Sequence, residues 1–272
     1  MMKRIAIILL FFCVLGCKEE GKTEKVPVEP NNGIGDGALP PKVLTFSENI
    51  EEAHNKPAFK MQRAVSFDID LDFGGKQRLK GTVSMTTNSS KVRIESEDGF
   101  TITFNGEMVG MKPADASAKN ARFDIFTWQY FFAMPFKLTD PGTVWEDSVN
   151  RKLDGIVYET AKLSFKQDTG DSPDDWYIIY KDPETNLLKA AAYIVTFNTG
   201  KASAENNPHV IEYSDYTVVE NVSLAQTWTF HDWDEENGPG KILGRASISN
   251  INFFIPKENY FKIPADAQII EK

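Results

Sequence analysis

The sequence predicts an α+β protein, mainly β, in which a single curled antiparallel sheet of about ten strands forms a half-barrel. Three observations lead to this prediction. Stretches with period-two alternation recur along most of the chain, as in AVSFDIDLDF over residues 64–73. Turn residues such as Gly74-Gly75 and Asn105-Gly106 separate them. Helical patterns appear in two places, so helices are expected to cover the concave face of a sheet that curls.

The elements are expected in the order helix, strands, aromatic helix, strands. Residues 47–55 predict a short helix with Ser47 as candidate N-cap, ended by Pro57. Residues 113–136 carry the second helical pattern. A short apolar segment over 260–270 closes the chain. The expected strands are 64–73, 79–86, 91–95, 100–105, 107–111, 156–166, 176–181, 188–198, 209–213, 216–220, 225–232 and 241–254.

Residues 1–16 are predicted to be a signal peptide. Lys3 and Arg4 precede an apolar run over 5–15 that is too short to span a bilayer. The run ends in VLGC, which looks like the lipobox of bacterial lipoproteins. Cys17 is therefore the expected lipidation site, carrying acyl chains such as palmitate. The alternative is an ordinary signal peptide that is cleaved elsewhere.

Residues 17–42 are predicted to be a lipidated, flexible tether, followed by a single β-rich half-barrel domain over 43–272. The tether is rich in Gly, Pro and charge. Lys18-Glu19-Glu20 resembles a surface-export signal of Gram-negative lipoproteins. We therefore expect an outer-membrane protein that faces the cell surface, with retention on the periplasmic side as the alternative.

Charge and cysteine content exclude several classes of partner. Without Lys3 and Arg4, 28 basic and 39 acidic residues remain, a net charge of −11. A chain with this negative charge should bind nucleic acid and anionic headgroups poorly, so membrane attachment should come from lipid alone. With Cys13 removed and Cys17 acylated, no cysteine is left for a disulfide or a zinc site. We expect a monomer.

The aromatic helix over residues 122–134 is the most informative segment. At 100° per residue, Phe123, Phe126 and Tyr130 fall on one face, whereas Trp128 and Phe132 fall on the opposite face. The helix is either buried on both sides as ordinary core or lines an apolar pocket for a lipid or another hydrophobic ligand. The candidate ligand-binding residues are Phe123, Phe126, Trp128, Tyr130, Phe131, Phe132, Met134 and Trp145.

Four segments carry a family resemblance: FDIFTWQYFFAMPFKLTDPGT with Trp145, DDWYIIYKDPETN, KAAAYIVTF and FKIPADAQII. Together they resemble an uncharacterised family of exported, Bacteroidetes-type lipoproteins, similar in outline to the Lol carriers and receptors of outer-membrane lipoproteins. The resemblance spans most of residues 45–270. It implies a curved sheet covered by helices and a hydrophobic ligand, and it implies no catalytic residue.

Motifs for catalysis, cofactors or metals are not apparent. The three histidines, His54, His209 and His231, lie in no known catalytic spacing. The acidic loop over 168–175 could bind Ca²⁺, but it lacks EF-hand spacing, and a solvated loop is the alternative. We therefore expect no enzyme, no cofactor and no metal, with a hydrolase as a less favoured alternative. A surface glycan- or protein-binding role, with Trp176, Trp228 and Trp233 available for stacking, is the alternative to lipid binding.

Overall fold

The computed structural model describes residues 42–117 and 119–271. Every element given below belongs to the unit Leu44–Lys272. The signal peptide, Cys17 and all but the last residue of the tether lie outside the described residues, so these assignments stay predictions.

Strands dominate the described part of the chain, and the helices are few and short. The helices are α1 (Phe46–Ala53), α2 (Lys56–Met61), α3 (Ala121–Ala133) and α4 (Lys201–Glu205), with a 3-10 turn over Met134–Phe136. The strands are β1 (Ala64–Phe73), β2 (Lys76–Thr86), β3 (Val92–Ser96), β4 (Thr101–Phe104), β5 (Val109–Lys112), β6 (Thr143–Trp145), β7 (Val149–Leu153), β8 (Ile156–Phe165), β9 (Tyr177–Lys181), β10 (Leu188–Tyr193), β11 (His209–Val219), β12 (Val222–Asp234), β13 (Gly238–Phe254) and β14 (Gln268–Ile270).

All these strands belong to one antiparallel sheet that does not close. Their order is β14-β5-β4-β3-β2-β1-β13-β12-β11-β10-β9-β8-β6, and β7 also pairs with β8. The prediction of a mainly β protein with one antiparallel sheet is confirmed. The expected number of about ten strands is wrong, because the described residues form 14. The sequence did not reveal three strands: β6 and β14 have only three residues each, and β7, VNRKL, does not alternate between apolar and polar residues.

The middle of the sheet follows the sequence pattern closely. Strand β1 has the predicted bounds, and Phe67, Ile69 and Leu71 are at most 1% exposed. Asp68, on the other face of the strand, accepts hydrogen bonds from Thr82 and Asn250 on the two neighbouring strands. The alternation therefore separates a buried face from a hydrogen-bonded polar face, as period two requires.

The sheet curves around α3. Two α3 side chains one helical turn apart reach distant strands: the Phe126 ring lies 5.0 Å from Phe104 of β4, and the Tyr130 ring lies 5.5 Å from Tyr177 of β9. These strands are eight steps apart in the sheet, which is about 38 Å in a flat sheet. One helix of about 10–12 Å diameter can contact both only if the sheet bends around it.

The N-terminal helices begin differently from the prediction. Thr45, rather than Ser47, caps α1, and it forms a capping box with Glu48. Pro57 does not end a helix but lies in the first turn of α2, where its missing N–H has no cost. The buried Glu51 carboxylate accepts hydrogen bonds from Lys56 and Thr139, which fixes both helices to the chain that follows α3.

A second, smaller apolar cluster lies on the convex face. Trp233 at the end of β12 packs there with Tyr180, and its Nε1 donates to the Tyr180 hydroxyl at 3.1 Å. Trp176 packs against the same cluster. Trp176 directly precedes β9, and Tyr177, the first residue of β9, packs in the main core on the concave face.

His54 connects the helices to the sheet as a neutral side chain. Its Nδ1 donates to the Ser223 carbonyl at 2.8 Å, and its Nε2 accepts from the Leu188 amide at 3.0 Å. A proton on Nε2 would face the Leu188 N–H and remove this hydrogen bond. Burial lowers the pKa of His54 from 6.5 to about 4, although the hydrogen bond to Ser223 acts in the opposite direction.

We predict that His54 weakens the fold in mild acid. The unfolded chain binds a proton at this side chain near pH 6.5, whereas the folded chain does so near pH 4. Its contribution to the free energy of unfolding is therefore complete above pH 6.5 and is lost as the pH falls towards 4, by about 3 kcal/mol at most. Urea unfolding at pH 7 and pH 4.5 measures this loss. The His54→Gln variant should lose less stability across this interval, and an equal loss in both proteins would contradict the assignment.

Candidate functional site

A cavity of about 550 Å³ lies beside α3, against β9, β10 and the loop that follows β8. Its volume is within the range of sites for small organic ligands, roughly 300–1,000 Å³. The apolar part of its wall outside α3 comes from Phe104, Phe165, Ile194, Val195 and Phe197. The aromatic helix therefore borders open space on one side.

The side of α3 that faces the cavity is one of the two predicted faces. Phe123, Phe126, Thr127 and Tyr130 line the cavity and are half-buried. Their spacing of three and four residues places them on one stripe of the helix. Phe131 also lines the cavity but is 2% exposed, because its ring packs at 5.0 Å against Tyr193.

The opposite side of α3 packs into the core. The Phe132 ring stacks on Phe67 of β1 with centroids 4.1 Å apart, and Ile125 is fully buried. Trp128 is 4% exposed, and its ring lies 6.2 Å from that of Phe230 on β12. The two faces thus have different roles, since one packs on the sheet and the other borders the cavity.

The eight predicted ligand-binding residues are therefore not all together. Phe123, Phe126, Tyr130 and Phe131 line the cavity, whereas the other four do not. Trp128 and Phe132 are used in packing, and Met134 is fully buried in the 3-10 turn, where the Tyr213 hydroxyl contacts its sulfur. Trp145 packs on Phe46 and donates its Nε1 hydrogen to the Leu138 carbonyl at 2.9 Å.

Sequence reasoning missed the strand residues of the cavity. Tyr177 of β9 and Tyr193 of β10 lie directly opposite each other, with ring centroids 6.2 Å apart. They are 7% and 5% exposed, so in a sequence they look like ordinary core residues of alternating strands. One signal was available: both tyrosines lie in segments that carried the family resemblance.

Ion pairs border the cavity. The Arg122 guanidinium binds both carboxylate oxygens of Asp171, at 2.6 and 3.0 Å, and it lies 5.2 Å from the centre of the Phe126 ring. Lys137 pairs with Asp140 at 2.8 Å. The acidic loop thus has a structural contact with α3 through Asp171.

Asp175 and Tyr130 are two of the polar residues that line the cavity. Asp175 Oδ1 accepts hydrogen bonds from the Thr196 amide and hydroxyl, at 2.8 and 2.7 Å. Burial raises the pKa of the Asp175 carboxyl, although the bonds from Thr196 act against this. The pKa of Tyr130 is raised, first by burial and then by the carboxylates of Asp140 and Asp175. Tyr130, Asp140 and Asp175 all line the cavity.

The orientation of α3 depends on a buried carboxylate. Asp124 is 4% exposed, and its two oxygens bind Arg78 of β2 at 2.6 and 3.1 Å. Trp128 Nε1 donates to the same carboxylate at 2.9 Å. Burial raises the pKa of Asp124, while Arg78 and Trp128 oppose the rise. This bidentate pair fixes the rotation of α3 against the sheet.

The geometry gives little support to the metal site and the glycan site that the sequence left open. Within residues 42–117 and 119–271, no three or more His, Cys, Asp or Glu side chains are placed to hold a metal ion. Trp228 and Trp233 are 1% and 7% exposed, so neither is available to stack on a sugar. No helix in the described part of the chain is long and apolar enough to cross a bilayer.

A family model described as "Family of unknown function (DUF6503)" matches residues 49–236, which is more than half of the chain. The chain belongs to this family. The expected resemblance to an uncharacterised family is therefore confirmed. No curated protein matches this DUF6503 member in sequence.

Solved structures similar to this DUF6503 chain include proteins of the Lol type. A LolA superfamily protein from Nitrosomonas europaea matches with a TM-score of 0.49 and 10% identity, over 78% of this chain and 97% of the other. A putative outer-membrane lipoprotein-sorting protein domain from Vibrio parahaemolyticus matches with a TM-score of 0.47 and 9% identity, over 79% and 97%. A DUF1329 family protein from Desulfovibrio piger gives 0.42 and 10%, over 79% and 95%. The expected resemblance to Lol-type proteins is confirmed as a likeness of fold.

We predict that Arg78 is required to keep α3 in place. Arg78→Met leaves the Asp124 carboxylate buried without its cation, which should cost about 3–5 kcal/mol of unfolding free energy. The loss should be smaller at pH 5 than at pH 8, because the carboxyl can then take up a proton. Urea unfolding followed by tryptophan fluorescence measures both values.

The double variant R78M/D124N is the matched control for this prediction. It removes both charges and leaves an amide oxygen for Trp128, so it should be more stable than R78M. An Arg78→Met variant that loses less than about 1 kcal/mol would show that the pair does not hold the helix.

Proposed function

We propose that this protein is a lipid-anchored envelope protein that binds a hydrophobic ligand, a lipid or an acyl chain, in the cavity beside α3. The observation that carries the proposal is the open volume of about 550 Å³ along the aromatic stripe of α3. Some aromatic rings border open space instead of packing on other rings. An apolar ligand that covers such rings is bound more favourably by roughly 25 cal/mol per Å² of apolar surface buried. The proposed role is binding without catalysis.

The proposed location follows from the N-terminal sequence. A short apolar run ending in VLGC precedes Cys17, and an acidic, Pro- and Gly-containing segment separates Cys17 from the folded unit. Two or more acyl chains give stable membrane attachment, which the net negative charge of the chain does not provide. We place the protein at the outer membrane, with the folded unit at the cell surface.

Binding of a surface glycan or a protein is the second candidate from sequence. A glycan site requires exposed aromatic rings that can stack on sugars. Trp228 and Trp233 are buried, and Trp176 packs against the convex cluster. The geometry therefore favours the apolar ligand.

We predict that a charge inside the cavity weakens ligand binding. Phe123→Asp places a carboxylate on the cavity wall, and aspartate is tolerated at the third position of a helix. Loss of one aromatic contact and the cost of desolvating the charge should reduce affinity by about 10- to 100-fold. Titration with a fluorescent, uncharged apolar probe, together with native mass spectrometry of protein purified from its own membranes, measures binding.

Val218→Asp is the matched control for Phe123→Asp. Val218 is 67% exposed on β11 and does not line the cavity, so the same substitution type should leave the affinity unchanged. Equal affinity in wild type and Phe123→Asp, with both proteins folded by circular dichroism, would refute binding in this cavity.

We also predict that Cys17→Ser releases the protein from membranes. Without the Cys17 thiol no acyl chain is attached, and the acyl chains are the one membrane anchor that we propose. Fractionation of cells should move the protein from the membrane pellet to the soluble fraction, and incorporation of labelled palmitate should stop. Membrane retention of the variant would contradict the lipid-anchor assignment.

A further inference from the structure

The cavity has more negative than positive charge on its wall. Its charged lining side chains are Glu107, Arg122, Lys137, Asp140, Asp171 and Asp175. The two cations are already paired, Arg122 with Asp171 at 2.6 Å and Lys137 with Asp140 at 2.8 Å. Among the described residues, no lining cation is therefore left to neutralise the head of an anionic lipid.

Of the four lining carboxylates, Glu107 and Asp175 have no ion pair within the described residues, and Asp175 is the one that is partly buried. Both hydrogen bonds from Thr196 go to Oδ1, and Oδ2 has no partner among the residues described. Asp175 lies two residues before Tyr177, the first residue of β9, while Trp176 between them packs on the convex side. Asp175 and Tyr177 both line the cavity.

Three tyrosine rings line the same cavity as this carboxylate. Tyr130, Tyr177 and Tyr193 form a continuous aromatic surface, with centroid separations of 5.5 Å and 6.2 Å. Their hydroxyl groups have no hydrogen-bond partner in the described part of the chain. Tyr177 and Tyr193 are more than nine-tenths buried and yet line the cavity, so their polar atoms can be satisfied by a bound molecule.

An aromatic surface beside a free carboxylate is suited to one type of ligand group. The faces of tyrosine rings attract cations, and a carboxylate accepts charge-assisted hydrogen bonds from an ammonium group. Burial raises the pKa of Asp175. A cation beside the carboxylate acts in the opposite direction, because a neighbouring positive charge favours the ionised form. An anionic head would face an unpaired negative charge in the same place.

We propose that the cavity selects amphiphiles with a cationic amine head, which binds to Asp175 and to the rings of Tyr130, Tyr177 and Tyr193 while the apolar tail lies along α3. This inference rests on the proposed function, since it names the ligand class of the same cavity. The tail contacts the Phe123–Phe126 stripe, and the head is held where the strands β9 and β10 meet.

Three ligands with the same tail test the proposal: decylamine, decanol and decanoate, titrated calorimetrically into the full chain at pH 7. At this pH the amine is a cation and the carboxylate is an anion. We expect the amine to bind about 10- to 100-fold more tightly than the alcohol, as for a hydrogen bond between charged groups, and decanoate to bind most weakly. Decanoate or decanol binding as tightly as the amine would overturn the inference and leave the hydrophobic-ligand proposal standing. Binding of none of the three would overturn both.

Two substitutions locate the selectivity. Asp175→Asn should reduce the preference for amine over alcohol by about tenfold or more, with little change in decanol affinity. Asp174→Asn removes the same charge at the neighbouring position, which is exposed and does not line the cavity, and it should leave the preference unchanged. An equal effect of both substitutions would show that net charge, rather than the Asp175 contact, sets the preference, and would refute the proposed site.

Discussion

The structure depends on the requirement that α3 bury aromatic rings on both of its sides. A helix on a flat sheet can bury only one stripe, and its other side faces water. Here one side packs on β1 and β12, and the sheet bends until β4 and β9 contact the residues that remain. The curvature of the sheet therefore allows α3 to bury apolar residues on both of its sides. The cavity is the volume that this bending leaves unfilled.

The fixed orientation of α3 gives the cavity its composition. Arg78 and Asp124 set the rotation of the helix, and the Glu51 carboxylate holds the chain that follows the helix. A rotation of α3 by one residue, about 100°, would move Gln129 or Phe131 into the place of Tyr130. Buried polar contacts outside the cavity therefore decide which rings face the cavity. Such contacts add specificity to a core that hydrophobic packing alone would leave variable.

The sequence predicted the parts of the fold that local patterns encode. Strand β1, with strict alternation over ten residues, has its predicted bounds, and the two faces of α3 are separated as the helical wheel indicates. Strands such as β6 and β14 depend on partners distant in sequence, Leu163 opposite Trp145 and Gly110 opposite Ile269, so three residues contain too little pattern to reveal them. For the candidate site, the wheel could not show which face meets the sheet. Trp128 and Phe132 therefore appeared equivalent to Phe123 and Phe126.

The central position of β1 has a consequence for how the chain reaches this fold. Its two neighbours come from opposite ends of the sequence: β2 follows immediately, whereas β13 places Phe254 opposite Ala64. A chain that emerges residue by residue forms the β1–β2 hairpin early and then waits almost to its end for the second neighbour. During this interval β1 presents an open edge, which can pair with another molecule. Such long-range pairing slows folding, so β1 keeps this open edge for longer than a strand whose two neighbours are both close in sequence.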